Sequence, residues 1–210
     1  MKTKLEIVTG FLGSGKTSFI NAYLNTEICI EKDILIILLE EGMKDISSHS
    51  KKIEVIYLEK IDNLKELLIK EIDKKQYYRV VVEFNGTMNL NIIGKIFEDK
   101  EMKKKFNFYG NYYIGNSKNL KTYLKNLGEI IIPFIQSSKL IILNNLSVIP
   151  SKEQKELIKY IGEINKTAPI VFSKSLDTLE EEVVSSKYFK EGASIKKIKS
   201  MIYKREVVKW

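Results

Sequence analysis

The segment Gly10-Phe11-Leu12-Gly13-Ser14-Gly15-Lys16-Thr17 constrains this chain more than any other. It satisfies G-x-x-x-x-G-K-[ST] in full. It lies between an apolar run, Leu5 to Thr9, and a segment of helical character, Lys16 to Leu24. Glycines let a backbone turn tightly and approach an anion with no Cβ in the way. Successive N–H groups then converge on a nest at a helix N-terminus. Lysine brings a mobile point charge to the β- and γ-phosphates, and the hydroxyl after it completes a magnesium shell shared with those phosphates. Gly10, Gly13, Ser14, Gly15, Lys16, Thr17 and Ser18 are therefore candidate phosphate-binding residues, with Lys16 and Thr17 also carrying the chemistry. The dinucleotide fingerprint G-x-G-x-x-G is not met, because Ser18 stands where the third glycine belongs.

A strand that feeds such a loop and then a helix opens a βαβ unit, and the rest of the chain keeps the alternation. Ile34–Leu39, Ile53–Leu58, Arg79–Phe84, Leu140–Leu143 and Pro169–Phe172 read as strands, with Phe106–Ile114 a weaker one. Ile61–Lys74, Asn89–Lys105, Asn119–Gln136 and Ser151–Ile164 read as helices. Pro133 is a candidate break in the third of these, and Ser151 with Gln154 a capping box for the fourth. Near-continuous apolar strands separated by helices imply an α/β fold of the P-loop NTPase type: a mostly parallel sheet with helices on both faces. A length of 210 residues accommodates one domain and a short appendage. The expected division is a nucleotide-binding domain over 1–180 and a basic, helix-prone extension over 181–210.

Composition removes several other classes. The single cysteine, Cys29, excludes an internal disulfide framework and a four-cysteine metal site. No run of 18 apolar residues is present, so no spanning helix is expected, and no secretory leader is recognised; the expected location is the cytoplasm. The net charge is +8, but Ser186 to Trp210 holds eight basic and two acidic residues, which leaves +2 for everything before it. Only Arg79 and Arg205 are arginines. Arginine is the usual bidentate reader of phosphate and guanine, so specific nucleic-acid binding is not expected.

A magnesium-dependent phosphate loop also needs an acid at the end of a neighbouring strand. Glu83, closing Val80-Val81-Val82, is that candidate. Gly86 follows it, and its N–H suits a γ-phosphate. At this point the sequence resembles the CobW/HypB/UreG-type GTPases, most nearly the CobW-like branch. GFLGSGKTSFIN resembles the opening of that family, and Glu83-Phe84-Asn85-Gly86 its second phosphate motif. Phe134 to Asn144 resembles the stretch that leads into its guanine motif, and Glu163 to Ile170 the segment after it. The resemblance extends over about residues 3 to 180.

It implies GTP as ligand with Mg2+, slow nucleoside triphosphate hydrolysis, a client protein whose metal centre or cofactor enzyme is being matured, and a homodimer as a candidate assembly. Departures from the family pattern bear on each of these. The guanine motif Asn-Lys-x-Asp has become Asn144-Asn145-Leu146-Ser147, which keeps Asn144 but loses the lysine and the base-reading carboxylate, so ATP stays open beside GTP. The family's Cys-x-Cys-Cys metal motif has no counterpart in the region from Gly42 to Leu58, where His49 is the chain's one histidine. Of the first switch, Glu40 and Gly42 remain, with Asp45 as a stand-in acid. Two other readings share the loop. One is a degenerate family member that acts as a nucleotide-binding or scaffold module without significant hydrolysis. The other is a small-molecule kinase, which two arginines make unattractive because such enzymes need an arginine-bearing lid.

Overall fold

The computed structural model describes residues 2–39, 46–47, 51–84, 86, 88 and 90–190. Seven parallel strands form one sheet: β1 (Thr3–Thr9), β2 (Ile34–Leu38), β3 (Ile53–Tyr57), β4 (Arg79–Glu83), β5 (Phe106–Asn116), β6 (Leu140–Asn144) and β7 (Ile170–Phe172). Their order is β3-β2-β4-β1-β5-β6-β7, so the strand feeding the phosphate loop lies between β4 and β5. Helix α1 (Lys16–Leu24) follows β1, and α2 (Leu64–Lys74) follows β3. α3 (Leu90–Glu98) and α4 (Lys100–Lys105) lead into β5, and α5 (Ser117–Ser137) into β6. α6 (Ser151–Ile164) precedes β7, and α7 (Leu179–Ser185) closes the series.

The strands are apolar on both faces because both faces are covered. Ile34, Ile36 and Leu38 of β2 join Val8, Val81, Ile114 and Ile142 against Phe19, Ile20 and Tyr23 of α1 and Leu179 and Val183 of α7. Leu35 and Ile37 point the other way, with Leu5, Val80 and Val82, onto Leu64 and Leu68 of α2. Further along that second face, Ile7, Ile141 and Leu143 pack on Ile93 of α3, Leu120 and Phe134 of α5, and Leu157 and Ile161 of α6. Full burial of each such aliphatic side chain contributes about 1.5–3 kcal/mol.

Four local expectations shift. The stretch read as one helix over Asn89–Lys105 is two, because Asp99 leaves helical geometry (φ −57°, ψ 137°) and its carboxylate accepts from the N–H groups of Glu101 and Met102. That carboxylate satisfies donors a new helix start would leave open, so the second helix is capped rather than continuous. In α5 the break falls at Leu127 (φ −130°, ψ 25°), not at Pro133. The break sits six residues before Pro133 and next to Gly128, whose helix propensity is low. The capping box at Ser151 does not form: Pro150 holds the N-cap position, Ser151 is the first helical residue, and the Gln154 amide donates to the Ile149 carbonyl at 2.9 Å. The strand read as weak is the longest, β5, eleven residues from Phe106 to Asn116.

Candidate functional site

All seven strands run the same way, so their carboxyl ends share one edge, and the phosphate loop lies there between β1 and α1. Gly10, Gly13 and Gly15 all have positive φ. Gly15 shows the need most directly. It caps α1 in the left-handed region (φ 95°, ψ 26°), and a Cβ there would stand 2.7 Å from both Asn144 Nδ2 and Leu176 Cδ2. The tight turn before it is closed by Ser14 N–H donating to the Phe11 carbonyl at 3.0 Å. The loop is thus wedged between α1, the end of β6 and the segment after β7.

The side chains assembled here are those the motif names. Lys16 is 4% exposed and its Nζ stands 3.9 Å from Glu83 Oε1, itself on a side chain 3% exposed. The Thr17 hydroxyl donates to the Glu83 carboxylate, 3.0 Å from Oε2 and 3.3 Å from Oε1. Glu83 ends β4, and β4 pairs with β1 in register from Lys4–Arg79 to Val8–Glu83, which carries the carboxylate to the loop. Ser18 is half-buried in the first turn of α1. Gly86 is buried against the loop itself: a Cβ on it would stand 2.5 Å from the Gly10 carbonyl oxygen. Gly86 therefore meets the phosphate loop through its backbone.

Asn144 is fully buried at the end of β6, and its side-chain amide donates to the Ser14 carbonyl. Its Oδ1 accepts from Asn145 Nδ2 at 3.1 Å, and Asn145 is left-handed (φ 54°). Ser147 does not stand ready as a donor: its hydroxyl donates to the Lys174 carbonyl at 2.7 Å. That contact brings in a segment the sequence did not single out, Ser173 to Thr178. It is held by Ser175 N–H donating to Thr178 Oγ1 at 3.2 Å, and it places Leu176 over Gly15. No periodic signal marks such a loop; a glycine whose Cβ space is taken by a distant leucine is legible only in three dimensions.

Glu40, Gly42, Asp45 and His49 lie outside the described residues, as do Asn85, Thr87 and the tail from 191 onward. Cys29 is buried beside α1, and burial pushes its thiol up to about 12. A thiol held protonated in this way is a poor nucleophile near neutral pH. No helix among the described residues is long and apolar enough to cross a membrane.

This architecture has counterparts among solved structures. The Zn(II)-bound YjiA GTPase from E. coli aligns with a TM-score of 0.63 and 19% identity, over 81% of this chain and 57% of YjiA. The hydrogenase maturation factor HypB from Archaeoglobus fulgidus aligns at 0.53 and 14%, over 96% and 89%. FtsY from Mycoplasma mycoides aligns at 0.53 and 13%, over 87% and 67%. At these identities the likeness is one of fold, and the chain spans little more than half the length of YjiA. No curated protein matches the sequence. The family model that does match, the nucleotide-binding domain of CobW/HypB/UreG, runs over residues 4–172, from β1 through the phosphate loop to the end of β7. The chain belongs to the CobW/HypB/UreG family, and the loop at Gly10 to Thr17 lies within its nucleotide-binding domain.

Proposed function

We propose that this chain is a magnesium-dependent P-loop nucleoside triphosphatase, with GTP as reference substrate, that serves as a switch in maturing a metal centre or cofactor enzyme. One observation carries the reading: Lys16, Thr17 and Glu83 converge at the mouth of the glycine loop, with Thr17 Oγ1 3.0 Å from Glu83 Oε2 and Lys16 Nζ 3.9 Å from Glu83 Oε1. The Thr17 hydroxyl and the Glu83 carboxylate are hard oxygen donors, the kind a magnesium ion takes, one or two from protein and the rest from phosphate and water. When bound, that ion supplies charge neutralisation to the β- and γ-phosphates. The loop amides orient the phosphates, and the Lys16 ammonium stabilises charge as it builds on the transferred phosphoryl. Gly86, resting on the Gly10 backbone, is placed to register whether the γ-phosphate is present. The maturation role rests on family membership and on the fold shared with HypB. The client, a homodimer and a cytoplasmic location belong to the same proposal.

Phosphate release from GTP, followed with and without magnesium, tests this reading. Glu83→Gln is expected to raise the magnesium concentration for half-maximal turnover by about tenfold or more. Turnover that ignores this substitution would remove Glu83 from the site.

The base pocket favours one refinement. With Ser147 bonded to the Lys174 carbonyl, and Asn144 to Ser14 and Asn145, no carboxylate at the family's aspartate position reads the guanine edge. A lone hydroxyl discriminates weakly where a carboxylate accepting two N–H groups discriminates strongly. GTP and ATP are therefore expected to bind within about tenfold of each other, and Ser147→Asp to open a guanine preference of about 10²-fold. Competition of each nucleotide against a labelled diphosphate reads both numbers. The same pocket is the ground for a second reading, a nucleotide-binding module without significant hydrolysis. Saturable triphosphate binding with no timed phosphate release would select it.

A further inference from the structure

The amino edge of the sheet, opposite the glycine loop, carries a constellation that the function above does not use. On the α1 side, Lys4 of β1, Tyr78 and Arg79 at the start of β4, Tyr109 of β5 and Lys139 just ahead of β6 come together. The backbone is shaped to allow it. The β1–β5 ladder slips between Leu5 and Glu6, whose partners are Phe108 and Gly110, so Tyr109 is the extra residue of a bulge. A bulge re-aims a side chain relative to the regular alternation. At the next position, a Cβ on Gly110 would stand 2.7 Å from Lys139 Cδ, so the absence of a side chain there gives the lysine stem its path. Lys139 Nζ then stands 3.4 Å from the Tyr109 ring centroid and donates to the Tyr109 carbonyl at 3.0 Å. Lys4 Nζ donates to the Tyr78 hydroxyl at 2.6 Å and lies 5.4 Å from the Tyr109 centroid. The Arg79 guanidinium lies 5.3 Å and 5.4 Å from the Tyr78 and Tyr109 rings.

The charges here do not balance. Glu6 is the carboxylate joined to this group, and Arg79, Tyr23 and Tyr112 all donate to it beneath the surface. Among the described residues, neither Lys4 nor Lys139 has a carboxylate within ion-pair distance. Arg79 Nε is buried with no hydrogen-bond partner. Burial pulls Lys139 below the usual lysine range; Glu6 opposes that, and Arg79 and Lys4 add to it. Lys4, Arg79 and Lys139 share one carboxylate, Glu6, in a half-buried space, and Lys32 Nζ lies 5.4 Å from the Tyr78 centroid at its rim, an arrangement that like-charge repulsion disfavours until an anion joins it.

We propose that this amino-edge cluster of Lys4, Arg79, Lys139, Tyr78 and Tyr109 binds a phosphate dianion, whose negative charge offsets the surplus of cations. The buried guanidinium lends its field but not its fork, because Nη1 is held by Glu6 and Tyr23 and Nε is sealed from the surface. Recognition therefore falls to two ammonium point charges, which select for charge rather than for planar shape and so favour a dianion over a monocarboxylate. Free phosphate esters and a phosphorylated side chain of a partner share this chemistry.

The test is amide NMR on the full isotope-labelled chain, titrated with sodium phosphate against sodium chloride at equal ionic strength. Tyr109 and Gly110 are expected to shift saturably with phosphate and not with chloride. Lys139→Gln is expected to weaken that response by about fivefold or more, and Lys139→Arg to retain it. The loop amides of Gly13 and Gly15 report phosphate at the nucleotide site separately, so the two events are read apart. A phosphoserine peptide that binds more tightly than inorganic phosphate assigns the site to a partner's side chain; equal affinity assigns it to free phosphate esters. If Tyr109 and Gly110 answer chloride as they answer phosphate, or if folded Lys139→Gln keeps full affinity, the site does not exist.

Discussion

Lys16→Ala is expected to lower triphosphate turnover by about 10²-fold or more while leaving the protein folded. The size follows from where the charge works. An ammonium 4% exposed beside a carboxylate acts in a space from which water is largely excluded, so its effect on a polyphosphate exceeds that of a surface lysine. Fold survival follows from the other contacts. Thr17 still bonds Glu83, and the loop backbone is held independently by Asn144 on the Ser14 carbonyl and by the packing at Gly15. Calorimetric nucleotide binding and phosphate release on the variant, with circular dichroism as the control for folding, check both halves. Undiminished turnover would place the chemistry elsewhere in the molecule.

Removing Arg79 alone is expected to cost about 3–5 kcal/mol of stability. Arg79 is 1% exposed and Glu6 fully buried. Tyr23 of α1 donates to Glu6 at 2.7 Å, and so does Tyr112 of β5. Burial, and then the Glu6 charge, push both phenols well above their usual range, so they remain donors at any working pH. Arg79→Met would leave a fully buried carboxylate under α1 without the one cation that hydrogen-bonds it among the described residues. Arg79→Met combined with Glu6→Met is expected to recover part of the loss, because the apolar pair leaves no unpaired buried charge, while the Tyr23 and Tyr112 hydroxyls lose their acceptor. Urea unfolding of both single variants and the double variant measures the coupling. A double variant no more stable than Arg79→Met would show that packing, not the buried charge, sets the cost.

The two clusters differ in how legible they were. The glycine loop, Lys16 and Thr17 could be placed from eight consecutive residues, because a phosphate nest demands those types in that order. Glu83 could be placed because an acid closing three valines has to emerge at the strand end. Arg79 reads only as a charged residue opening a strand; its partner Glu6 lies 73 positions earlier, and no local pattern joins them. β5 looked weak because Asn107, Gly110, Asn111 and Gly115 dilute its apolar run. The structure accounts for the buried amide: Asn111 accepts from Thr9 Oγ1 at 2.9 Å and donates to the Phe134 carbonyl at 3.1 Å. Polar residues satisfied by tertiary partners look like loop in one dimension. The misplaced cap at Ser151 has a simpler cause, since Pro150 one step earlier already had the extended geometry a cap requires (φ −57°, ψ 147°).

The cooperative unit does not stop where the sheet stops. Past β7, Leu176 closes over Gly15, while Leu179, Val183 and Phe189 cover Phe19 and Tyr23 of α1. Phe189 meets Tyr23 edge-on, with centroids 5.2 Å apart. A fragment cut after Phe172 would strip the outer wall from the helix that bears Lys16 and Thr17, and would leave two aromatic rings facing water. Anyone excising the nucleotide-binding unit as a separate piece should therefore carry the chain through Phe189, seventeen residues beyond the last strand.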